Sequence, residues 1–324
     1  MAAIKEVLGI SIGSSRRDHE VVLELLGRQV RIRREGTDGD MDEAARRFRA
    51  LDGKVDAFGL GGIDLSLRAA GREYYFRDAT RFRKAVRATP ILDGSGLKGA
   101  VEADVVRFMH EDLGLDLAGK RVLMTSAVDR WGMAEAFYEA GCDMTCADML
   151  YGLGVNIMLR DKRTTERFIH ALMPLVRQMP FKWLYPAEDD HASEIVAKYP
   201  AMYAGADIIA GDYKYVRKWM PEDMTGKWVV TNTTTAQDVD FLRDRGIELL
   251  ITTTPRLDGR SFGTNVIEAT LVAMAGASEP LRPAEYVDLL GRVGFAPDVG
   301  WLQDDKEKAA GPRSSPAVTP TSMQ

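Results

Sequence analysis

The side chains most able to do chemistry fall in a few short stretches. In Asp93-Gly-Ser-Gly-Leu-Lys98 a carboxylate ends an apolar run, and a lysine follows about one helical turn later. A carboxylate so placed could orient or deprotonate a hydroxyl, with Lys98 pairing with it or lending a proton. The same composition suits an Asx-turn or helix-capping aspartate beside a solvated helix lysine. Both readings stay open from the residues alone.

A second stretch is Met124-Thr-Ser-Ala-Val-Asp-Arg-Trp-Gly132, where an apolar run ends and a helix begins. Such a loop holds a dinucleotide pyrophosphate when glycines let backbone amides approach it at the helix N-terminus. Here Ser126 and Ala127 stand where glycines are expected. Asp129 adds a negative charge that Arg130 could offset, and Gly132 ends the stretch. Asp148 follows about twenty residues later. An acid there accepts hydrogen bonds from ribose hydroxyls and repels a 2′-phosphate, which favours NAD over NADP; a polar residue ending a strand is the plainer account. Thr231 and Asn232 end one later apolar run, and Thr252 to Pro255 another. Arg256 and Arg260 could bind a substrate carboxylate bidentately, and Thr264 and Asn265 open a helix whose amides point at a ligand. The loop Ser14-Ser-Arg-Arg-Asp-His19 would suit an anion or be a plain turn, and His110, His170 and His191 lack companions at metal-ligand spacing.

These side chains belong to a chain of 324 residues, long enough for two domains. Hydrophobic residues make up 45% and charged residues 28%, a globular balance. The net charge of −5 gives no footprint for nucleic acid. There is no run of eighteen apolar residues and no cationic-then-apolar start, so no membrane partner and a cytoplasmic location are expected. Cys142 and Cys146 are expected to be buried free thiols, and no metal site is expected. A homo-oligomer is left open.

The elements that must position the candidates follow from periodicity. Val7–Gly13 reads as a strand, 20–26 and 29–34 as a hairpin around Gly27-Arg28, Met41–Leu51 as a helix capped by Asp40, and Val55–Leu60 as a strand. A helix over 101–113 leads to the strand 120–125, the helix 132–140 and the strand 144–147. Further strands are expected at 206–210, 228–231 and 249–252, with helices near 164–179, 193–199, 238–245 and 261–275, the last packing back across the cleft. Alternating strands and helices build a doubly wound parallel sheet. The fold expected is therefore α/β: a mixed α+β domain over residues 1–100, a Rossmann-type sheet domain over 101–300, and a disordered tail over 304–324.

Asp93-Gly-Ser-Gly-Leu with Leu117-Ala-Gly-Lys-Arg-Val-Leu is similar to a passage of shikimate and quinate dehydrogenases, as are Ala206-Asp-Ile-Ile and the segment Asn232–Gly246. Gly36–Met41, Ala57–Asp64, Ser126–Gly132 and Asp258–Asn265 resemble bacterial proteins labelled quinate 5-dehydrogenase. The chain lacks the Asn-Val-Thr-x-Pro-x-Lys signature that provides that family's catalytic lysine. The resemblance implies NAD(P)-dependent oxidation of a hydroxyl on a small polyhydroxylated acid, with Asp93 and Lys98 catalytic. The cofactor would lie over Ser126, Ala127, Arg130, Gly132, Asp148, Thr231 and Asn232, and the substrate against Arg256, Arg260, Thr264 and Asn265. The degenerate loop and missing signature support an alternative, a non-catalytic ligand-binding or regulatory protein on a dehydrogenase fold.

Overall fold

The computed structural model describes residues 4–180, 197–253 and 263–303. Arg256, Arg260, His191 and the 304–324 tail lie outside the described residues. The first sheet is built from β1 (Lys5–Ser11), the hairpin β2 (His19–Leu25) and β3 (Arg28–Gly36), β4 (Ala57–Gly61) and β7 (Ile91–Leu92). Its order is β2-β3-β1-β4-β7, parallel except for β2 against β3. One face carries α1 (Met41–Leu51), whose start is set by Asp40 accepting from the amides of Asp42 and Glu43. Phe48 of α1, Phe58 of β4 and Phe82 of α2 (Thr80–Arg83) are fully buried there. A separate hairpin, β5 (Ser66–Ala69) and β6 (Arg72–Tyr75), follows β4.

The second sheet contains β8 (Arg121–Met124), β9 (Asp143–Cys146), β10 (Ile208–Gly211), β11 (Trp228–Thr231), β12 (Leu249–Thr252) and β13 (Asp298–Trp301). Its order is β13-β12-β11-β10-β8-β9, parallel except for β13. Short apolar runs such as Val122-Leu-Met124 are buried on both faces, as a central parallel strand requires. The chain leaves β8 in one direction for β9 and then returns to the other side for β10, so the strand order switches beside β8. The architecture is the expected two-unit α/β fold with a doubly wound second sheet.

Two helices join the units. α3 (Ser95–Glu111) starts directly after β7, earlier than the periodicity predicts, because the glycines at its start obscure the pattern. It packs along α4 (Trp131–Glu139), which follows β8. The helices α5 (Asp148–Leu153), α6 (Lys162–Val176), α7 (Pro200–Ala204), α8 (Tyr213–Lys218) and α9 (Ala236–Asp244) lie between later strands of the second sheet. α10 (Thr264–Ala275) crosses to the free face of the first sheet, touching β1, β4 and β7. Every residue from Val266 to Met274 is buried, so this helix is enclosed all round. Glycines make room for it: a Cβ on Gly9 of β1 would lie 2.8 Å from Val266 Cγ2, and one on Gly59 of β4 would lie 3.1 Å from Asn265 O. α11 (Pro283–Arg292) packs on α3. The helix expected near 261–275 packs back across the cleft as the residues suggest, and with α11 it covers the first sheet, although both lie in the stretch 101–300 assigned to the second unit. No helix among the described residues is long and apolar enough to cross a membrane.

Candidate functional site

Between the two sheets lies a cavity of about 680 Å³ at the carboxyl ends of β4, β7 and β8. Its walls are the β5–β6 hairpin and the first turns of α3, α4, α10 and α11. Asp93, Lys98, Gly132, Thr264 and Asn265 all line it, so the fold brings together residues far apart in sequence. The volume suits a small ligand.

Asp93 is committed to backbone. Its Oδ1 accepts from Ser95 N (2.9 Å), an Asx-turn, and its Oδ2 accepts from Leu65 N and from Ser66 N (3.1 Å). The carboxylate thus ties the hairpin to the start of α3. Lys98 does not pair with Asp93, as the sequence suggests it could; its Nζ donates to Asp129 Oδ1 at 2.7 Å. Lys98 lies on α3 and Asp129 on the β8–α4 loop, so the pair bridges the two helices. Partial burial works against the Asp129 charge, but Lys98 and Arg130 outweigh it and hold the carboxyl down at about 2.

The expected cofactor loop is filled by the protein itself. Arg130 is buried, and its guanidinium donates to Glu102 of α3 and to Asp212 at the end of β10 (2.6 Å). Val128 N, an amide that would face a pyrophosphate, donates to Asp148 Oδ1 at 2.8 Å. Asp148 is the first residue of α5 and turns inward to this loop rather than outward to a ribose. Its Oδ2 is buried with no hydrogen-bond partner among the described residues, and burial raises the carboxyl to about 6. Ser126 Oγ accepts from Asp212 N at 3.0 Å, and Ala127 is fully buried. Gly132 serves helix packing: a Cβ there would sit 2.6 Å from Gly99 O. Thr231 Oγ1 donates to Gly211 O (2.8 Å), and Asn232 bridges Tyr213 N and Asp212 Oδ2. These residues do not fit a dinucleotide pyrophosphate, because the cation and the amide it needs already hold carboxylates.

Residues outside the sequence candidates complete the site. Glu268 on α10 is 1% exposed; its Oε2 accepts from Gly94 N (2.7 Å) and its Oε1 from the Tyr286 hydroxyl (2.6 Å). Burial, with the neighbouring Asp93 charge, raises it to about 7. A lone acid inside Val266-Ile-Glu-Ala-Thr-Leu-Val is the sequence signal for such a group. Arg68 and Arg72 reach the cavity from a hairpin that the residue pattern does not announce. Among the described residues no group of three His, Cys, Asp or Glu is placed to hold a metal. Cys142 and Cys146 are free, and His170 Nδ1 meets the Tyr74 hydroxyl at 2.7 Å.

Comparison with solved structures returns distant likenesses. The chain is similar to an ABC transporter solute-binding protein from Agrobacterium vitis with bound allitol, at 11% identity and TM-score 0.39, covering 94% of this chain and 98% of that one. It is also similar to a glucose-galactose binding protein from Geobacillus stearothermophilus, at 11% identity and TM-score 0.38, covering 94% and 99%. Shikimate 5-dehydrogenase from Thermus thermophilus, in complex with NADP(H) and shikimate, is similar at 9% identity and TM-score 0.37, covering 89% and 99%. No curated protein matches the chain in sequence. Residues 6–93 match a domain of unknown function, DUF8753, and residues 96–302 match another, DUF8754. With its larger part, from α3 to β13, matched in this way, the chain belongs to the DUF8754 family.

Proposed function

We propose that this protein binds a small polyhydroxylated molecule in the cavity between its two sheets. The observation that carries the reading is the closed state of the β8–α4 loop. Arg130 is held by Glu102 and Asp212, Val128 N by Asp148, and Asp129 by Lys98. A pyrophosphate at that loop would have to displace internal ion pairs, each costly to break once buried. The cavity beside it remains open, with polar groups arriving from several elements, as recognition of hydroxyls requires. The test is calorimetric titration of the full chain with glucitol, glucose and quinate, and separately with NAD and NADP. Saturable heat with at least one of the first three and none with the dinucleotides is expected. Saturable NAD binding with no response to any polyhydroxylated compound would overturn the reading.

A second reading is NAD-dependent oxidation of a hydroxyl on a polyhydroxylated acid. It is favoured by the shared lining of one cavity by Asp93, Lys98, Thr264 and Asn265. Nucleotide reduction measured by absorbance with quinate or shikimate separates it from the first.

A further inference from the structure

The charges of the cavity wall are set against an anion. Carboxylates outnumber cations in the lining by six to three. Arg130 and Lys162 offset Glu102 and Glu135 from outside the lining, and an excess of acid remains. Of the three cations, Arg68 pairs with Glu73 at 3.2 Å, and Arg72 is an exposed hairpin side chain whose charge water screens. Lys98 is the part-buried one, and its Nζ donates to Asp129 Oδ1 at 2.7 Å. Burial and the nearby Arg130 push Lys98 down, but Asp129, Glu102 and Asp64 outweigh them and hold it above its ordinary value. The ammonium thus keeps its charge and has it neutralised within the protein. Asp129 is held from a second side as well, with Arg130 Nε 3.3 Å from its Oδ2. It occupies the place on Lys98 that a ligand carboxylate would take.

A carboxylate entering this cavity would lose water and meet no cation to pair with, and burying an unpaired charge is costly. A hydroxyl loses less water. It can also donate to an ionised carboxylate, a stronger bond than one between neutral groups. Ser95, Thr264 and Asn265 add neutral polar groups to the same wall.

We infer that Asp129 sets the specificity of the cavity: by occupying Lys98 it excludes carboxylic acids and leaves neutral polyols and aldoses as the ligand class. This rests on the ligand-binding reading and narrows it, and it counts against oxidation of a polyhydroxylated acid in the same cavity. The effect runs through one ion pair, so a single substitution should reverse it. Asp129→Asn is nearly isosteric and keeps an oxygen for Lys98, yet it releases the ammonium charge to a ligand.

The full chain is titrated by calorimetry with two matched pairs, glucitol with gluconate and glucose with glucuronate. The members of each pair differ in carrying a terminal hydroxymethyl group or a carboxylate. At least one neutral member should bind at least about tenfold more tightly than its acid. Asp129→Asn should tighten the acid of that pair by about tenfold, with a far smaller change for the neutral member. Adding Lys98→Met should abolish the gain, which places the acid on the ammonium. Because the signal is a gain of binding, partial unfolding of a variant does not produce it. An acid bound by the unaltered chain as tightly as its neutral partner overturns this inference and leaves the ligand-binding reading standing. An unchanged acid affinity in Asp129→Asn, or a gain that persists with Lys98→Met, overturns the role of Asp129. No binding of any of the four compounds, to the unaltered chain or to Asp129→Asn, overturns both.

Discussion

Glu268 and Asp93 are two carboxyls on one junction with opposite roles. Glu268 keeps its proton up to about 7 in the folded chain, against an ordinary value of 4.5. Between those values the folded state holds a proton that the unfolded state has released. Stability should therefore fall as pH rises from about 4.5 to about 7, and be level on either side, by about 3 kcal/mol at most. Asp148, raised from 3.8 to about 6, slopes the same way over a lower window. Glu268→Gln should flatten the upper part of the slope, as read from urea midpoints across that range; an unchanged slope would mean that Glu268 is not the titrating group. Asp93 instead accepts three amide bonds, so Asp93→Ala should cost about 1–3 kcal/mol in urea unfolding by leaving those donors unpaired. A loss of ligand binding with undiminished stability would show that its carboxylate acts on the ligand rather than on the fold.

At the scale of elements, the contact of α3 with α4 decides how the cavity walls meet. Gly132 sits in the first turn of α4 with Gly99 O where its Cβ would go, at 2.6 Å. Helix propensity favours alanine over glycine by about 1 kcal/mol. Overpacking costs about 1–3 kcal/mol and should win, because the obstacle is backbone. Gly132→Ala should therefore lower the melting temperature, and a rise would show that the helices can part without loss. Widening this contact also moves Asp129 away from Lys98, so ligand affinity should fall with it.

Across the whole molecule, the N-terminal sheet is completed by helices from the far end of the chain. Val7, Val30, Ile32 and Leu92 form one apolar cluster with Val266, Leu271 and Tyr286 of α10 and α11. A fragment ending at residue 111 lacks both helices and leaves that face to water. It should show no cooperative thermal unfolding by circular dichroism, whereas the full chain should; a sharp transition in the fragment would show that the first sheet is a self-sufficient unit. Tyr74 and His170 add a tie between the hairpin and α6, so the hairpin that bears Arg72 is anchored on both sheets.

The order of elements was legible in the residues because burial imposes periodicity. Trp228–Thr231 and Leu249–Thr252 read as strands and are strands to the residue, and Asp40 marked the start of Met41–Leu51 through its capping geometry. The α/β class and the doubly wound second sheet followed from that alternation. The pairing of charges was not legible. Lys98 has Asp93 five residues away and chooses Asp129 across a helix contact, and Arg130 is held by acids 28 residues before it and 82 residues after it. Such choices depend on which helix ends and strand ends are brought together. That is set by tertiary packing, here by the glycines that let α10 settle on the first sheet and α4 on α3, and no local pattern encodes it.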